Sequence, residues 1–230
     1  MKKLALTLVI AQTCMAAGAL AQDATATLSV SLDGIENGSA IPEKFAYCAP
    51  DGQGQTKDGG NVNPAISWSG APVGTRSYAL IVVDKDVPAS FELANQPGKT
   101  IPADFPRQNF YHWVLVDIPG AMTNLPEGVD SKGVVPGGRA PGKTGYGIDG
   151  QNDYAKAGKG QGGEYDGPCP PWNDERLHHY HVVVYALDVP SLGLSGNFGG
   201  KQAEDAMKGH ILARGETVGT YTQNPKLIGK

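Results

Sequence analysis

Three clusters of polar and ionisable residues stand at the ends of apolar runs in this 230-residue chain. The first is Val83-Asp84-Lys85-Asp86-Val87-Pro88. In an extended strand Asp84 and Asp86 share one side, at a mouth where Pro88 stops regular pairing. Taken alone, Asp-x-Asp reads as a solvated turn. The second cluster, Tyr111-His112-Trp113, opens an apolar run, where a single histidine is by default a satisfied structural residue. The third joins Tyr165-Asp166-Gly167-Pro168-Cys169-Pro170-Pro171 to His178-His179-Tyr180-His181. Prolines fix φ and remove backbone donors, so that loop is a rigid wall. Alternation sends His178 and Tyr180 to one side and His179 and His181 to the other. One such pair can converge on a pocket while the other faces out. Two aspartates and two histidines in one cavity are able to hold a divalent metal for hydrolysis of phosphate esters. The same imidazoles and a phenol are also hydrogen-bonding groups for a bound ligand.

Such side chains need strand ends to hold them, and the chain supplies strands. Its 32 glycines and 17 prolines exclude a helix bundle but are too dispersed for a low-complexity segment. Between the turns lie β-branched and aromatic runs at 26–32, 65–68, 78–83, 111–118, 181–187 and 217–221. In the first, Leu28, Val30 and Leu32 alternate with polar residues, so one face is solvated. The runs 79–83 and 182–187 are nearly all apolar, as befits central strands covered on both faces. Residues 201–212 are predicted to be helical, with Ala203, Ala206, Met207 and Ile211 at helical spacing. The stretches 91–109 and 131–163 lack apolar periodicity and read as long loops able to wall a pocket.

At the N-terminus Lys2 and Lys3 precede an apolar run and Ala19-Leu20-Ala21, the pattern of a signal peptide cleaved after Ala21. The predicted mature chain, 22–230, is a single domain, periplasmic or secreted. No apolar run reaches the roughly 20 residues that a membrane-spanning helix needs. Cys14 lies in the apolar region, but Gln12 and Thr13 are poor company for a lipidation signal. Of 19 basic and 23 acidic residues, cleavage removes two lysines and leaves 17 against 23, a net charge of −6. That balance, with no basic run, excludes a nucleic-acid backbone as partner. Cys48 and Cys169 remain as an even pair in an oxidising compartment and form a candidate disulfide.

Five elements in order, Asn63-Pro64-Ala65-Ile66-Ser67-Trp68-Ser69-Gly70, Asp84-Lys85-Asp86-Val87-Pro88, His112-Trp113, Gly167-Pro168-Cys169-Pro170-Pro171 and His178-His179-Tyr180, resemble the signature of the phosphatidylethanolamine-binding protein family, in its bacterial Raf kinase inhibitor-like branch. The tail elements Gly209-His210-Ile211-Leu212-Ala213 and Val218-Gly219-Thr220-Tyr221 agree with it. The resemblance implies a mainly β fold, a β-sandwich of a large central sheet on a smaller one with one or two peripheral helices. It also implies a small pocket for phosphate-type anions, and a ligand set of Asp84, Asp86, His112, Pro170, Pro171, His178 and Tyr180. The family's usual Asp-Pro-Asp is Asp84-Lys85-Asp86 here, and its His-Arg-Tyr is His178-His179-Tyr180. Two carboxylates beside an anion repel it, so the expectation is that Asp84 orients or charges a histidine, or shares a proton with the ligand. His112, His178 and Tyr180 would then donate, at about 1.5 to 3 kcal/mol per charge-assisted bond.

The expected function is therefore non-catalytic binding of a phospholipid head group or a phosphorylated small molecule, without metal or cofactor. A metal-dependent phosphoesterase uses the same side chains, but no H-E-x-x-H, G-x-S-x-G or phosphate-cradling glycine loop is present. The other alternative is a protein-interaction or inhibitor module. Eukaryotic members of the family inhibit kinases, whereas an exported chain would meet an envelope or host protein.

Overall fold

The computed structural model describes residues 26–229. The expected signal peptide and Cys14 lie outside the described residues. In chain order the strands are β1 (Ala26–Thr27), β2 (Ser29–Leu32), β3 (Cys48–Pro50), β4 (Thr56–Asp58), β5 (Ile66–Ser69) and β6 (Ser77–Pro88). They continue as β7 (Arg107–Pro119), β8 (Asn124–Leu125), β9 (Gly142–Lys143), β10 (Ile148–Asp149), β11 (His178–Leu187) and β12 (Ile211–Tyr221), with α1 (Gly200–Met207) ahead of β12.

Seven strands form one sheet in the order β1-β12-β11-β6-β7-β10-β9, three form a second in the order β2-β5-β8, and β3-β4 is a separate hairpin. The described residues are thus mainly β, a large sheet and a small sheet with one α-helix, as the resemblance implies. The apolar runs of β6 and β11 occupy the middle of the large sheet because both their faces are covered. Leu80, Val82, Val182 and Val184 pack with Leu28, Ile66 and Trp68 of the small-sheet side. Ala79, Ile81 and Val83 face the other way, against Ala203 and Met207 of α1.

Three expectations are corrected. The helix ends at Met207 rather than 212, because Gly209 adopts φ +82° and turns the chain back. Ile211 and Leu212 then start β12, which runs eleven residues to Tyr221. The run 26–32 is also two strands, with β1 parallel to β12 at the edge of the large sheet and β2 antiparallel to β5 in the small one. Within 131–163, β9 and β10 extend the large sheet beyond β7, so that segment is partly sheet rather than loop throughout.

Candidate functional site

Two β-bulges near the ends of β6 and β7 aim the polar residues. Val82 pairs with Trp113 and Val83 with Tyr111, which leaves His112 as an extra residue on β7. Further along, Asp84 pairs with Phe110 and Val87 with Gln108, so Lys85 and Asp86 together oppose the single residue Asn109. This second bulge breaks the alternation that would have kept Asp84 and Asp86 together. Tyr180 of β11 pairs directly with Asp84.

A cleft of about 1320 Å³ opens at this end of the large sheet, and Asp84, His112, His178, Tyr180, Pro170 and Pro171 all line it. Asp86 is the one sequence-predicted site residue that the structure does not place in its lining. Its carboxylate instead accepts from His179 Nδ1 (2.8 Å) and Arg176 Nη1 (3.0 Å). Both long segments contribute walls, through Phe91, Asn95 and Pro97 on one side and Tyr154, Lys156 and Lys159 on the other. The hairpin β3–β4 forms a third wall that the sequence did not signal. It is tied to the proline loop by a Cys48–Cys169 disulfide with Cα atoms 4.8 Å apart.

His178 is fully buried, with Nδ1 2.6 Å from Asp84 Oδ2 and Nε2 3.1 Å from Asp174 Oδ2. Both partners accept only, so both ring nitrogens carry protons and the ring is an imidazolium. Burial opposes that charge, but Asp84 and Asp174 outweigh it and lift the pKa to about 9. Arg107 completes the file with a bidentate contact to Asp174 at 2.6 and 3.0 Å. Burial raises the Asp174 pKa, yet the bonds from His178 and Arg107 win and hold it below the usual carboxylate range. Asp84, His178, Asp174 and Arg107 alternate in sign, so their charges balance within the protein. His178 has no proton left to offer a ligand, which corrects the donor role expected of it.

His112 is arranged differently. Its Nδ1 lies 2.7 Å from the Asp166 carbonyl oxygen and 3.1 Å from that of Gly167. Carbonyls only accept, so Nδ1 carries the proton. Burial keeps the ring neutral, outweighing the nearby Asp84 charge, and its pKa falls below the ordinary histidine value. The remaining nitrogen, Nε2, is therefore a lone-pair acceptor, and it is buried with no partner among the described residues. The expectation that His112 donates is corrected likewise. Tyr180 is almost wholly buried beneath the cleft, its pKa raised well above the usual value by burial and then by the Asp84 charge. Its hydroxyl has no hydrogen-bond partner of normal geometry among the described residues. Phe110, Tyr154 and Tyr180 surround the His112 ring at centroid distances of 5.1, 5.5 and 5.1 Å.

Several positioning residues had no sequence signal. Asn61, at φ 43°, donates to Asp166 Oδ1 (3.0 Å) and accepts from the Gly167 amide (2.8 Å). Asn152 donates to Asp166 Oδ2 (2.8 Å), and the Tyr154 hydroxyl donates to the Gly167 carbonyl (2.9 Å). Together they fix the two carbonyls that hold His112. Asp174, four residues before His178, carried a weak signal in that spacing alone. Among the described residues, no group of three or more His, Cys, Asp or Glu side chains is placed to hold one metal ion, and no helix is long and apolar enough to cross a membrane.

The chain is similar to several proteins of bacteria and archaea. The UPF0098 protein of Aquifex aeolicus is 31% identical over 202 residues, covering 86% of this chain and 98% of that one. The UPF0098 protein YbcL of Escherichia coli is 32% identical over 164 residues, covering 71% and 73%. The crystal structure of YbcL, described as a new member of the mammalian PEBP family, superposes with a TM-score of 0.62 at 25% identity over 86% of this chain and 99% of that one. The PEBP homologue CT736 of Chlamydia trachomatis superposes at 0.58 with 27% identity over 86% and 99%. The model of the family described as phosphatidylethanolamine-binding protein matches residues 32–222, and with the fold and these relatives in agreement, the chain belongs to the phosphatidylethanolamine-binding protein family.

Proposed function

We propose that this chain is an exported, non-catalytic binding protein, one module over 22–230, whose cleft takes a phosphate-type head group on a floor of Asp84, His112 and Tyr180. Pro170 and Pro171 are the stiff wall of that site and His178 its buried counter-ion. The observation that carries the reading is the pair of buried, unpartnered polar atoms beside the cleft, His112 Nε2 and the Tyr180 hydroxyl. Buried polar groups without partners are rare in folded proteins and call for a ligand or a water to complete them. The two differ in sense, since the phenol donates to an oxyanion while the imidazole nitrogen accepts.

The ligand must therefore carry its own proton donor. Two sources share that chemistry, the P–OH of a phosphate monoester in its monoanionic form and the ammonium of an ethanolamine phosphodiester. Titration of the protein with glycerol 3-phosphate and with glycerophosphoethanolamine from pH 5.5 to 8.5 separates them. A monoester loses its P–OH proton near pH 6, so its affinity should fall about tenfold per pH unit above that point. The zwitterionic diester should hold its affinity over the same range. Absence of saturable binding by either compound would overturn the reading.

A further inference from the structure

The motif His178-His179-Tyr180-His181 sends two residues into the site and leaves two outside it. His178 and Tyr180 are buried, while His179 is exposed and His181 half-buried on the opposite face of β11. Two positions apart on a strand puts their Cα atoms about 6.7 Å from each other on one face, within reach of imidazoles converging on a single ion.

Both rings are held from behind by a carboxylate. His179 Nδ1 lies 2.8 Å from Asp86 Oδ2, and His181 Nδ1 bonds Glu216 Oε1. Each carboxylate has its own anchor, Arg176 on Asp86 at 3.0 Å and Arg214 on Glu216. A carboxylate oxygen accepts, so each Nδ1 donates, and on the neutral ring Nε2 is the lone pair able to coordinate. A carboxylate on the far nitrogen is the arrangement that fixes the tautomer and orientation of metal-binding histidines and raises their basicity. Neither Nε2 has a hydrogen-bond partner among the described residues.

We propose that His179 and His181 form a two-imidazole site for a divalent late transition metal ion on the outer face of β11, with Asp86 and Glu216 as the supporting carboxylates. Imidazole suits copper, nickel and zinc, and Cu(II) heads the affinity order at a nitrogen site. Two protein ligands leave the remaining coordination positions to water or a small molecule. The arginines behind the carboxylates add like charge, so the site is one of modest affinity. It is separate from the cleft, because β11 turns His178 and Tyr180 the other way.

Titration of the full chain with Cu(II), by calorimetry and electron paramagnetic resonance, tests this. One equivalent should bind with hyperfine coupling to two nitrogens. His179→Ala and His181→Ala should each weaken binding at least tenfold. Glu216→Gln keeps both imidazoles and should weaken it by about tenfold, the low end of the effect of removing such a partner. His210→Ala should change nothing, since His210 pairs with Asp188 at the opposite end of the β11–β12 pair. Unaltered Cu(II) binding in either His179→Ala or His181→Ala, or an equal loss in His210→Ala, would overturn the proposal. Glycerol 3-phosphate titration of the same variants keeps the fate of the cleft reading distinct.

Discussion

Replacing His178 by glutamine removes the cation between two buried carboxylates and should alter how stability depends on pH. The pKa of His178 is raised from 6.5 to about 9 in the folded protein. A group with a raised folded pKa stabilises fully below its unfolded value, and that contribution disappears as pH rises through the folded value. At 1.36 kcal/mol per unit, the window from pH 6.5 to about 9 carries about 3 kcal/mol. Asp149, lifted to about 8 by burial and then by the Asp130 charge despite Arg139, also costs stability as pH rises toward 8. The difference between wild type and His178→Gln isolates the histidine. Urea unfolding at half-unit steps from pH 6 to 9.5 should show wild type losing about 3 kcal/mol more than the variant. At pH 6 the variant should be less stable by about 3 to 5 kcal/mol, the effect of breaking a buried ion pair from one side. Parallel curves for the two proteins would refute an imidazolium held between Asp84 and Asp174.

Tyr180→Phe deletes a hydroxyl that has no hydrogen-bond partner among the described residues, so unfolding free energy should stay within about 0.5 kcal/mol. Its affinity for a phosphate ligand should fall about tenfold or more, as a hydrogen bond to a charged group predicts; calorimetry reads both. Reducing the Cys48–Cys169 bond, which spans 121 residues, should lower stability by up to about 4 to 5 kcal/mol, measured by denaturant unfolding with and without reductant. It should also weaken ligand binding, because the β3–β4 wall loses its tether. Gly167→Ala would set a Cβ 1.9 Å from the Phe45 carbonyl oxygen and should cost about 3 kcal/mol or more, with the His112 carbonyls displaced and binding lost together.

The strands of the sandwich were legible because their apolar runs are long and their faces unambiguous. Runs 79–83 and 182–187 lie in the middle of the large sheet, where apolar cover on both sides leaves no polar position to read. The helix was over-extended because Ile211 continues a helical spacing, while the reversal at Gly209 depends on backbone conformation. Asp84 and Asp86 parted for a related reason. Alternation holds only while pairing is regular, and a bulge opposite Asn109 resets the count. The clustering of Asp84, His112, His178 and Tyr180 followed from motif order, but their proton inventory did not. Whether a histidine donates or accepts was decided by partners such as Asp174 and the Asp166 carbonyl, whose placement is tertiary. The hairpin wall 48–58 was silent because its two strands are three residues each and β4 is exposed and polar.

The 131–163 segment is fastened differently from the sheets it borders. Arg139 joins Asp130 and Asp149, and Asn152, Asp166, Asn61 and Ser131 tie the segment's flank to the rest of the chain through amide and hydroxyl bonds. Exposing polar surface lowers the heat capacity, whereas exposing apolar surface raises it. Local opening of this side of the cleft should therefore carry a smaller heat-capacity change per residue than global unfolding, whose change is large and positive. Apolar cohesion fades on cooling, so in the cold this segment keeps its grip while the sandwich beneath it loses some of its own.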